Sequence, residues 1–186
     1  MKLIIGLGNP EEKYRSTRHN VGFWVLSRYG EAKGLSFQPK SKFKACVTEY
    51  AVGDDKVILA KQTTYYNFSG EVARALADFY KIDPKDILII HDELMLPFGT
   101  LRTRIGGSDA GNNGIKSIND HLGQGTARLR IGVYNERRDQ MDDADFVLSS
   151  FTKTESDQFE TALPMIFSLI DTFIDGTFDA TTIKHL

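Results

Sequence analysis

Five polar residues in this chain are of the types that hydrolytic chemistry uses. They comprise one imidazole, one carboxylate and three amides. A histidine, with an ordinary pKa of ~6.5, can take a proton from water, and a carboxylate can fix its tautomer and stabilise its protonated form. Amide side chains can donate to a developing oxyanion or hold amides of a substrate. This set suits acyl transfer to water, and its members are His19, Asp92, Asn9, Asn67 and Asn113.

Two of these residues stand at opposite ends of a short loop near the N-terminus. Leu3-Ile4-Ile5 is an apolar run that predicts a buried first strand, and Asn9 follows it. Thr17-Arg18-His19-Asn20 leads into a helix predicted over residues 18–33, so His19 lies near a helix start. A strand end and a helix start joined by a short loop can face each other across a cleft, where open α/β sheets bind ligands.

The other three residues also stand beside predicted elements. The apolar segment 87–90 predicts a central strand covered on both faces, which ends at His91-Asp92-Glu93. Asn67 and Asn113 each close a loop ahead of a predicted helix. Every member of the set has a simpler structural explanation. Asparagine is a common helix cap, a lone histidine is more often structural than catalytic, and Asp92 could merely end its strand.

The remaining segments predict how these residues are positioned. Further strands are predicted over residues 43–52, 56–60, 100–105 and 128–133. Helical segments show apolar residues at three- and four-residue spacing, and the long C-terminal helix, which Pro164 should bend, stops at Gly176. Strands that alternate with helices predict a single α/β domain over residues 1–186, a three-layer α/β/α fold with a twisted mixed central sheet.

Length and composition exclude several classes of protein. The 186 residues suit one well-buried domain, and 41% hydrophobic with 26% charged residues is ordinary for a globular protein. No apolar run approaches the ~20 residues that a membrane span needs, and the N-terminus lacks a signal-peptide pattern. Cys46 is the only cysteine, which excludes an intrachain disulfide and a thiolate metal site. We expect a cytoplasmic protein.

The charge is distributed unevenly along the chain, whose formal net charge is −2. Residues 1–138 carry 21 Lys and Arg against 15 Asp and Glu, a surplus of six. Residues 139–186 carry two Lys against ten Asp and Glu, an excess of eight acidic residues. This asymmetry permits a basic face for a nucleic acid on an acidic protein. Alternatively, the C-terminal acids only solvate helices.

Several familiar motifs fail. Gly6-Leu7-Gly8 suggests dinucleotide binding, but the third glycine of G-x-G-x-x-G would fall on Glu11, which would repel a pyrophosphate. Gly111 is followed by Asn112 where a P-loop requires Lys, and no G-x-S-x-G is present. His91 and Asp92 are neighbours on a strand, so they point to opposite faces and cannot easily share an ion. We expect no metal site.

Several segments between Lys2 and about Leu148 occur in the order found in bacterial peptidyl-tRNA hydrolases. T-R-H-N together with H-D-E-L is highly specific, so the chain resembles this family. The segments are Gly6-Leu7-Gly8-Asn9-Pro10, Tyr14, Thr17-Arg18-His19-Asn20, residues 63–70, His91-Asp92-Glu93-Leu94, Asn113-Gly114 and residues 128–132.

The resemblance implies a monomeric, metal-independent and cofactor-free esterase that releases the peptide from peptidyl-tRNA after drop-off from the ribosome. In that family His19 would be the general base and Asp92 its orienting partner. Asn9 would help to distinguish N-blocked aminoacyl ends from free ones. Asn67 and Asn113 would bind the peptide and the 3′ end and help to stabilise the tetrahedral intermediate.

The resemblance also implies contacts outside the catalytic centre. Tyr14 and Tyr65 match substrate-contact positions of the family. Arg104, Lys116 and Arg130 match basic positions expected to meet tRNA phosphates. This agrees with the surplus of basic residues in the first 138 positions, because phosphate contacts position a nucleic acid without reading its sequence.

The chain departs from the family pattern at the rim of the expected cleft and leaves the five polar residues unchanged. Glu11 stands where the family usually has Gly, Gln62 stands where it has Pro, and Tyr66 stands where it has Met. Ala110 and Asn112 alter a loop that usually reads Gly-Gly-His-Asn-Gly, and Tyr134-Asn135-Glu136 replaces Gly-Arg-Pro. Asn112 can hydrogen-bond like a histidine but cannot become cationic, and Glu11 and Glu136 add negative charge where RNA would pass.

Two other functions remain open from the sequence. The first is an RNA-binding homologue that keeps this fold without hydrolysing, which loss or burial of the His19–Asp92 pair would favour. The second is a small-molecule hydrolase on the same scaffold, which activity on short N-acyl esters but not on tRNA esters would favour.

Overall fold

The computed structural model describes residues 1–184 and contains an eight-stranded mixed sheet. The strands are β1 (Lys2–Gly6), β2 (Gln38–Lys40), β3 (Ala45–Val52), β4 (Asp55–Gln62), β5 (Ile87–Pro97), β6 (Thr100–Ile105), β7 (Ala127–Tyr134) and β8 (Thr182–Lys184). Their spatial order is β2-β3-β4-β1-β5-β7-β6-β8. The central strands β4, β1, β5 and β7 are parallel, and the strands towards both edges pair antiparallel. The carboxyl ends of the parallel strands therefore meet at one edge of the sheet.

Helices cover both faces of this sheet, which confirms the predicted three-layer α/β/α fold. They are α1 (Val21–Ala32), α2 (Ser69–Tyr80), α3 (Asn113–Leu122), α4 (Asp143–Val147) and α5 (Lys153–Asp175). Apolar residues of α1 and α5 pack in one core cluster, and those of α2 and α3 pack in a second cluster on the opposite face. No helix within residues 1–184 is long and apolar enough to cross a membrane.

The backbone of α1 lies directly against the end of β1 and against Ile90 within β5. A Cβ on Gly22 would lie 2.3 Å from the carbonyl oxygen of Ile90, and a Cβ on Gly6 would lie 2.3 Å from the carbonyl oxygen of Gly22. Because no side chain fits at either glycine, the start of α1 approaches the sheet closely. His19, in the 3-10 turn Arg18–Asn20 just before α1, is thereby brought to the carboxyl edge of the sheet.

Several predicted boundaries are wrong. The central strand was expected to end at His91-Asp92-Glu93, but β5 continues to Pro97, with a change of register after Glu93. Asp92 therefore lies within the strand. A buried carboxylate is tolerated there because His19 and Tyr66, from other elements, bond to it. The strand predicted from Phe43 begins at Ala45, after a 3-10 turn, and the strand predicted over 56–60 extends over all of β4. The edge strands β2 and β8 and the short helix α4 were not predicted.

The C-terminal region is part of the folded core. Arg18 is completely buried, its guanidinium lies over the rings of Phe146 and Phe151, and it donates to Glu155 Oε2 at 2.9 Å. Glu155 also closes a capping box with Thr152 at the start of α5. This buried ion pair joins α5 to the residue that precedes His19.

Candidate active site

His19 and Asp92 form a hydrogen-bonded pair at the carboxyl edge of the sheet. His19 Nδ1 lies 3.0 Å from Asp92 Oδ2, and the Asp92 side chain is 2% exposed against 16% for His19. Because an ionised carboxylate only accepts hydrogen bonds, Nδ1 is the protonated nitrogen, and Nε2 retains its lone pair. The more accessible residue of the pair is thus the one that can take a proton.

Asp92 remains ionised although it is buried. Burial by itself raises the pKa of a carboxyl, but the charge and hydrogen bond of His19, together with a hydrogen bond from Tyr66, outweigh it. These contacts hold the pKa of Asp92 below its usual range. The carboxylate is therefore available near neutral pH to fix the imidazole.

Tyr66 completes this pair, a role that the sequence did not reveal. Its hydroxyl donates to Asp92 Oδ1 at 2.7 Å, and its ring stacks on the His19 imidazole with centroids 3.5 Å apart and planes 14° apart. The sequence marked Tyr66 only as a departure from the family pattern. No local pattern indicates a hydrogen bond to a residue 26 positions away.

Asn9 is held rigidly beside the pair. Its backbone N–H donates to Asn20 Oδ1 at 2.9 Å, and Asn20 Nδ2 donates to the carbonyl oxygen of Asn9 at 2.8 Å. The N–H of Tyr66 donates to Asn9 Oδ1 at 2.8 Å, which fixes which end of the Asn9 amide is oxygen. Asn9 Nδ2 has no hydrogen-bond partner among residues 1–184, so this donor is available to a ligand. The positioning role of Asn20 was not predicted.

Asn67 and Asn113 are exposed at the starts of α2 and α3. The alternative that they serve only as helix caps is wrong, because α2 has no side-chain cap and the capping side chain of α3 is Asn112, which accepts from Ile115 N–H at 3.0 Å. In the part of the chain that the structure describes, neither amide has an intramolecular hydrogen bond. Both are therefore available to a ligand, as Asn9 is.

Tyr65 and Glu11 form one rim of the site. The hydroxyl of Tyr65 donates to Glu11 Oε1, and Lys13 Nζ lies 2.9 Å from Glu11 Oε2. The hydrogen bond from Tyr65, and next that from Lys13, lower the pKa of Glu11. Glu11 therefore stays ionised, and the charge of Lys13 compensates it. Tyr14 lies under Lys13 Nζ, 4.8 Å from the ring centroid. The rim therefore brings together both tyrosines and the acidic departure at Glu11.

The departure at Gln62 organises the adjoining loop. Its side-chain Nε2 donates to the carbonyl oxygens of Thr64 at 3.3 Å and Tyr65 at 2.9 Å, and its Oε1 accepts from the Ser69 hydroxyl at 2.7 Å. A proline could make none of these bonds. Gln62 thus fixes the segment that presents Tyr65, Tyr66 and the residue after them.

The three basic positions differ in accessibility. Arg104 on β6 and Lys116 on α3 are exposed, and neither forms an ion pair within residues 1–184. Arg130 on β7 is only 16% exposed, and its Nη1 lies 3.5 Å from Glu93 Oε2. Burial lowers the pKa of Arg130, and Glu93 opposes that effect. Arg104 and Lys116 are consequently the more accessible cations.

Strands β6 and β7 together carry four guanidinium groups. Arg128 pairs across the sheet with Arg104, and Arg130 pairs with Arg102. The buried Arg128 donates to the carbonyl oxygens of Ser108 and Gly107 and to Asn119 Oδ1. It therefore fixes the glycine-rich loop of residues 106–112, which precedes α3.

The described residues contain no group of three or more His, Cys, Asp or Glu side chains arranged to hold a metal ion. The His19–Asp92 pair, by contrast, has the hydrogen-bond geometry of an imidazole held by a buried carboxylate, and Asn9 is bonded to Tyr66, whose ring stacks on His19.

Comparison with known proteins decides the family. The family model described as peptidyl-tRNA hydrolase matches residues 3–185. The chain belongs to the peptidyl-tRNA hydrolase family. A peptidyl-tRNA hydrolase of Ligilactobacillus salivarius is 42% identical over 95% of this chain and 94% of its own length. One of Desulfitobacterium hafniense is 45% identical over 92% of this chain and 88% of its own.

Solved structures agree with this assignment. The crystal structure of peptidyl-tRNA hydrolase from Acinetobacter baumannii superposes with a TM-score of 0.85 at 32% identity, covering 95% of this chain and 89% of that one. The α/β fold is therefore that of the peptidyl-tRNA hydrolase family, and the bacterial resemblance seen in the sequence is confirmed.

Proposed function

We propose that this protein is an aminoacyl-tRNA ester hydrolase specific for peptidyl-tRNA, and hence a carboxylic ester hydrolase. It cleaves the bond between the peptide and the 3′-terminal ribose, so that the tRNA can be reused. Membership of the family supports the reaction. The observation that carries it is the buried carboxylate of Asp92 bonded to His19 Nδ1, which leaves Nε2 of the imidazole without a hydrogen-bond partner among residues 1–184.

The reaction needs a water molecule and one base. His19 Nε2 takes a proton from the water as its oxygen attacks the ester carbonyl carbon, and Asp92 stabilises the imidazolium that forms. The carbonyl oxygen becomes an oxyanion, to which Asn67 and Asn113 donate hydrogen bonds. When the intermediate collapses, the ester C–O bond breaks and the leaving ribose oxygen receives the proton from His19.

Selection of the substrate follows from the amides. Asn9 Nδ2 is fixed in direction by the hydrogen bonds around it and can donate to the first peptide carbonyl, a group that a free aminoacyl end lacks. Sites that hydrogen-bond a substrate group can reject analogues lacking it by ~10⁴ or more. We therefore assign to Asn9 the preference for N-blocked aminoacyl ends.

The tRNA contacts lie outside this centre. We assign phosphate contacts to Arg104, Lys116 and Arg130, of which the first two are accessible without rearrangement. Tyr14 and Tyr65, on the rim of the cleft, contact the 3′ end. Such contacts fix the register of the acceptor arm without reading its sequence.

We further propose a metal-independent monomer with a single domain that acts in the cytoplasm. The chemistry assigned to His19 and Asp92 requires no metal ion or cofactor, and the family resemblance of the sequence supports the oligomeric state and the compartment. One continuous sheet through residues 1–184 supports a single domain.

Hydrolysis of N-acetyl-aminoacyl-tRNA, measured beside the unblocked aminoacyl-tRNA and in the presence of EDTA, tests this function. We expect cleavage of the blocked substrate alone, with no effect of the chelator. A folded protein that binds tRNA but cleaves neither substrate would identify an RNA-binding homologue. Cleavage of short N-acyl esters without cleavage of the tRNA ester would identify a small-molecule hydrolase.

A further inference from the structure

A chain of hydrogen bonds leads from the backbone of α3 to the carboxylate of the active site. Ile115 N–H donates to Asn112 Oδ1 at 3.0 Å, so that end of the amide must be the oxygen. Asn112 Nδ2 then donates to the hydroxyl oxygen of Tyr66 at 3.0 Å. The hydroxyl hydrogen of Tyr66 is directed to Asp92 Oδ1 at 2.7 Å. A backbone amide thus sets the direction of every bond in the chain.

Asp92 therefore has a donor on each oxygen. Tyr66 occupies Oδ1, and His19 Nδ1 occupies Oδ2 at 3.0 Å. The two donors compete for the same negative charge, because a hydrogen bond to one oxygen reduces the charge that the other can present.

The tyrosine remains a donor throughout the working pH range. Burial, and next the charge of Asp92, raise the pKa of Tyr66 well above its usual value. The residue is 2% exposed, so its hydroxyl is bonded within the protein interior. Its ring also lies flat against the His19 imidazole and restricts rotation of that ring.

We propose that Tyr66, oriented by Asn112, is a positioning residue that holds the His19–Asp92 pair and reduces the attraction of Asp92 for the protonated imidazole. This inference rests on the proposed function. Tyr66 stands where the family usually has Met, and Asn112 stands where it usually has His. Because these two side chains bond to each other, the inference explains both departures together.

Two titratable side chains, His91 and Glu93, flank Asp92 on β5. The His91 side chain is buried, and its Nδ1 lies 2.7 Å from the backbone carbonyl oxygen of Asp92. Burial lowers the pKa of His91. Glu93, which follows Asp92 in the sequence, is paired with Arg130. Neither contacts the Tyr66 hydroxyl, so the substitution Tyr66→Phe leaves their partners in place.

The test is the pH dependence of kcat/KM for N-acetyl-aminoacyl-tRNA in Tyr66→Phe, which keeps the stacked ring and removes only the donor. Without that donor Asp92 attracts the imidazolium more strongly, so His19 loses its proton at higher pH. We expect the acidic limb of the profile to move up by about 0.5 pH unit. We also expect kcat to fall about three- to tenfold with KM nearly unchanged.

Two further variants separate positioning from stability. Asn112→Ser retains a good helix-capping side chain but is too short to reach Tyr66, and it should shift the profile in the same direction by a smaller amount. Tyr29→Phe removes another buried hydroxyl, which donates to Asp171 on the α1–α5 side, and should leave the profile unchanged. Should Tyr66→Phe fail to fold, Asn112→Ser carries the test.

Titration of the His19 ring by nitrogen NMR in the free protein gives a readout that does not depend on turnover. We expect the titration midpoint to rise in Tyr66→Phe. Superposable titrations and pH profiles for wild type and Tyr66→Phe would overturn the inference, as would a loss of kcat without either shift. A wild-type protein that fails to cleave the substrate would overturn the proposed function instead, because the NMR titration would still report on the Tyr66 contact.

Discussion

The Oδ1 atom of Asn9 accepts a hydrogen bond from the backbone N–H of Tyr66 at 2.8 Å. This bond joins the loop after β1 to the segment before α2. It also orients the Asn9 amide, so that Nδ2 is the group left free. The residue assigned to substrate selection is therefore positioned by the same residue that supports the His19–Asp92 pair.

Asn9→Asp should separate the two functions of this side chain. The carboxylate still accepts from Tyr66 N–H but has no N–H to donate to the substrate. We expect kcat/KM for N-acetyl-aminoacyl-tRNA to fall about 10²–10³-fold, with a melting temperature close to that of wild type. Gln158→Glu, on the exposed face of α5, adds the same charge change away from the site and should have no effect. Wild-type kcat/KM in Asn9→Asp would show that the Nδ2 donor is not used.

His19→Ala should abolish turnover while it leaves the fold and tRNA affinity nearly intact. Loss of a general base costs typically about 10²–10⁴-fold in rate. Single-turnover hydrolysis and tRNA binding should be measured side by side, with His121→Ala, at an exposed position on α3, as the control. Residual activity within tenfold of wild type would exclude His19 as the base.

Arg104 and Arg130 should respond differently to replacement by alanine. Arg104→Ala removes an accessible cation and should weaken tRNA binding and reduce the salt slope of log K by about one. Arg130→Ala also removes the partner of buried Glu93, so it should lower stability by about 1–3 kcal/mol and reduce the salt slope less. Lys153→Ala, at the start of α5, is the control for a surface charge. Equal salt slopes for Arg104→Ala and wild type would contradict the phosphate assignment.

The sequence predicted best the elements whose own composition indicates that they are buried. The apolar segments that became β1 and the start of β5 are buried on both faces, so their composition alone indicates strands. The extension of β5 through Asp92 could not be predicted, because its polar side chains are buried only by virtue of His19 and Arg130, which lie far away in the sequence. The edge strand Gln38–Lys40 is exposed and carries no apolar pattern.

The same distinction applies to the active site. The chemistry of the five polar residues suggested hydrolysis, and the resemblance to a family supplied the roles. The contacts of Tyr66 could not be predicted, because they join positions 66, 92 and 112 through tertiary packing. The roles themselves remain predictions that the substitutions above test.

Glu155→Gln tests whether the buried ion pair between Glu155 and Arg18 stabilises the fold around the segment that carries His19. Burial opposes ionisation of Glu155, but the hydrogen bonds from Arg18 and from the backbone of Thr152 outweigh it and lower its pKa from the ordinary 4.5. A lowered pKa contributes stability that is present above 4.5 and is lost as the pH falls through the native pKa. Wild type should therefore lose this contribution on acidification.

The neutral variant lacks that contribution at every pH. At pH 7 we expect Glu155→Gln to lower the free energy of unfolding by about 3 kcal/mol, because it leaves a buried guanidinium without a counter-charge. The difference from wild type should shrink as the pH falls below 4.5, where the carboxyl of the unfolded wild type becomes protonated, and the charge contribution should be lost once the pH passes through the lower pKa of the native state. Urea unfolding at several pH values measures this, with Asp157→Asn in the exposed pair with Lys153 as the control, for which we expect less than about 1 kcal/mol. A difference that stays constant down to acidic pH would show that Glu155 supports the fold through its shape and not through its charge.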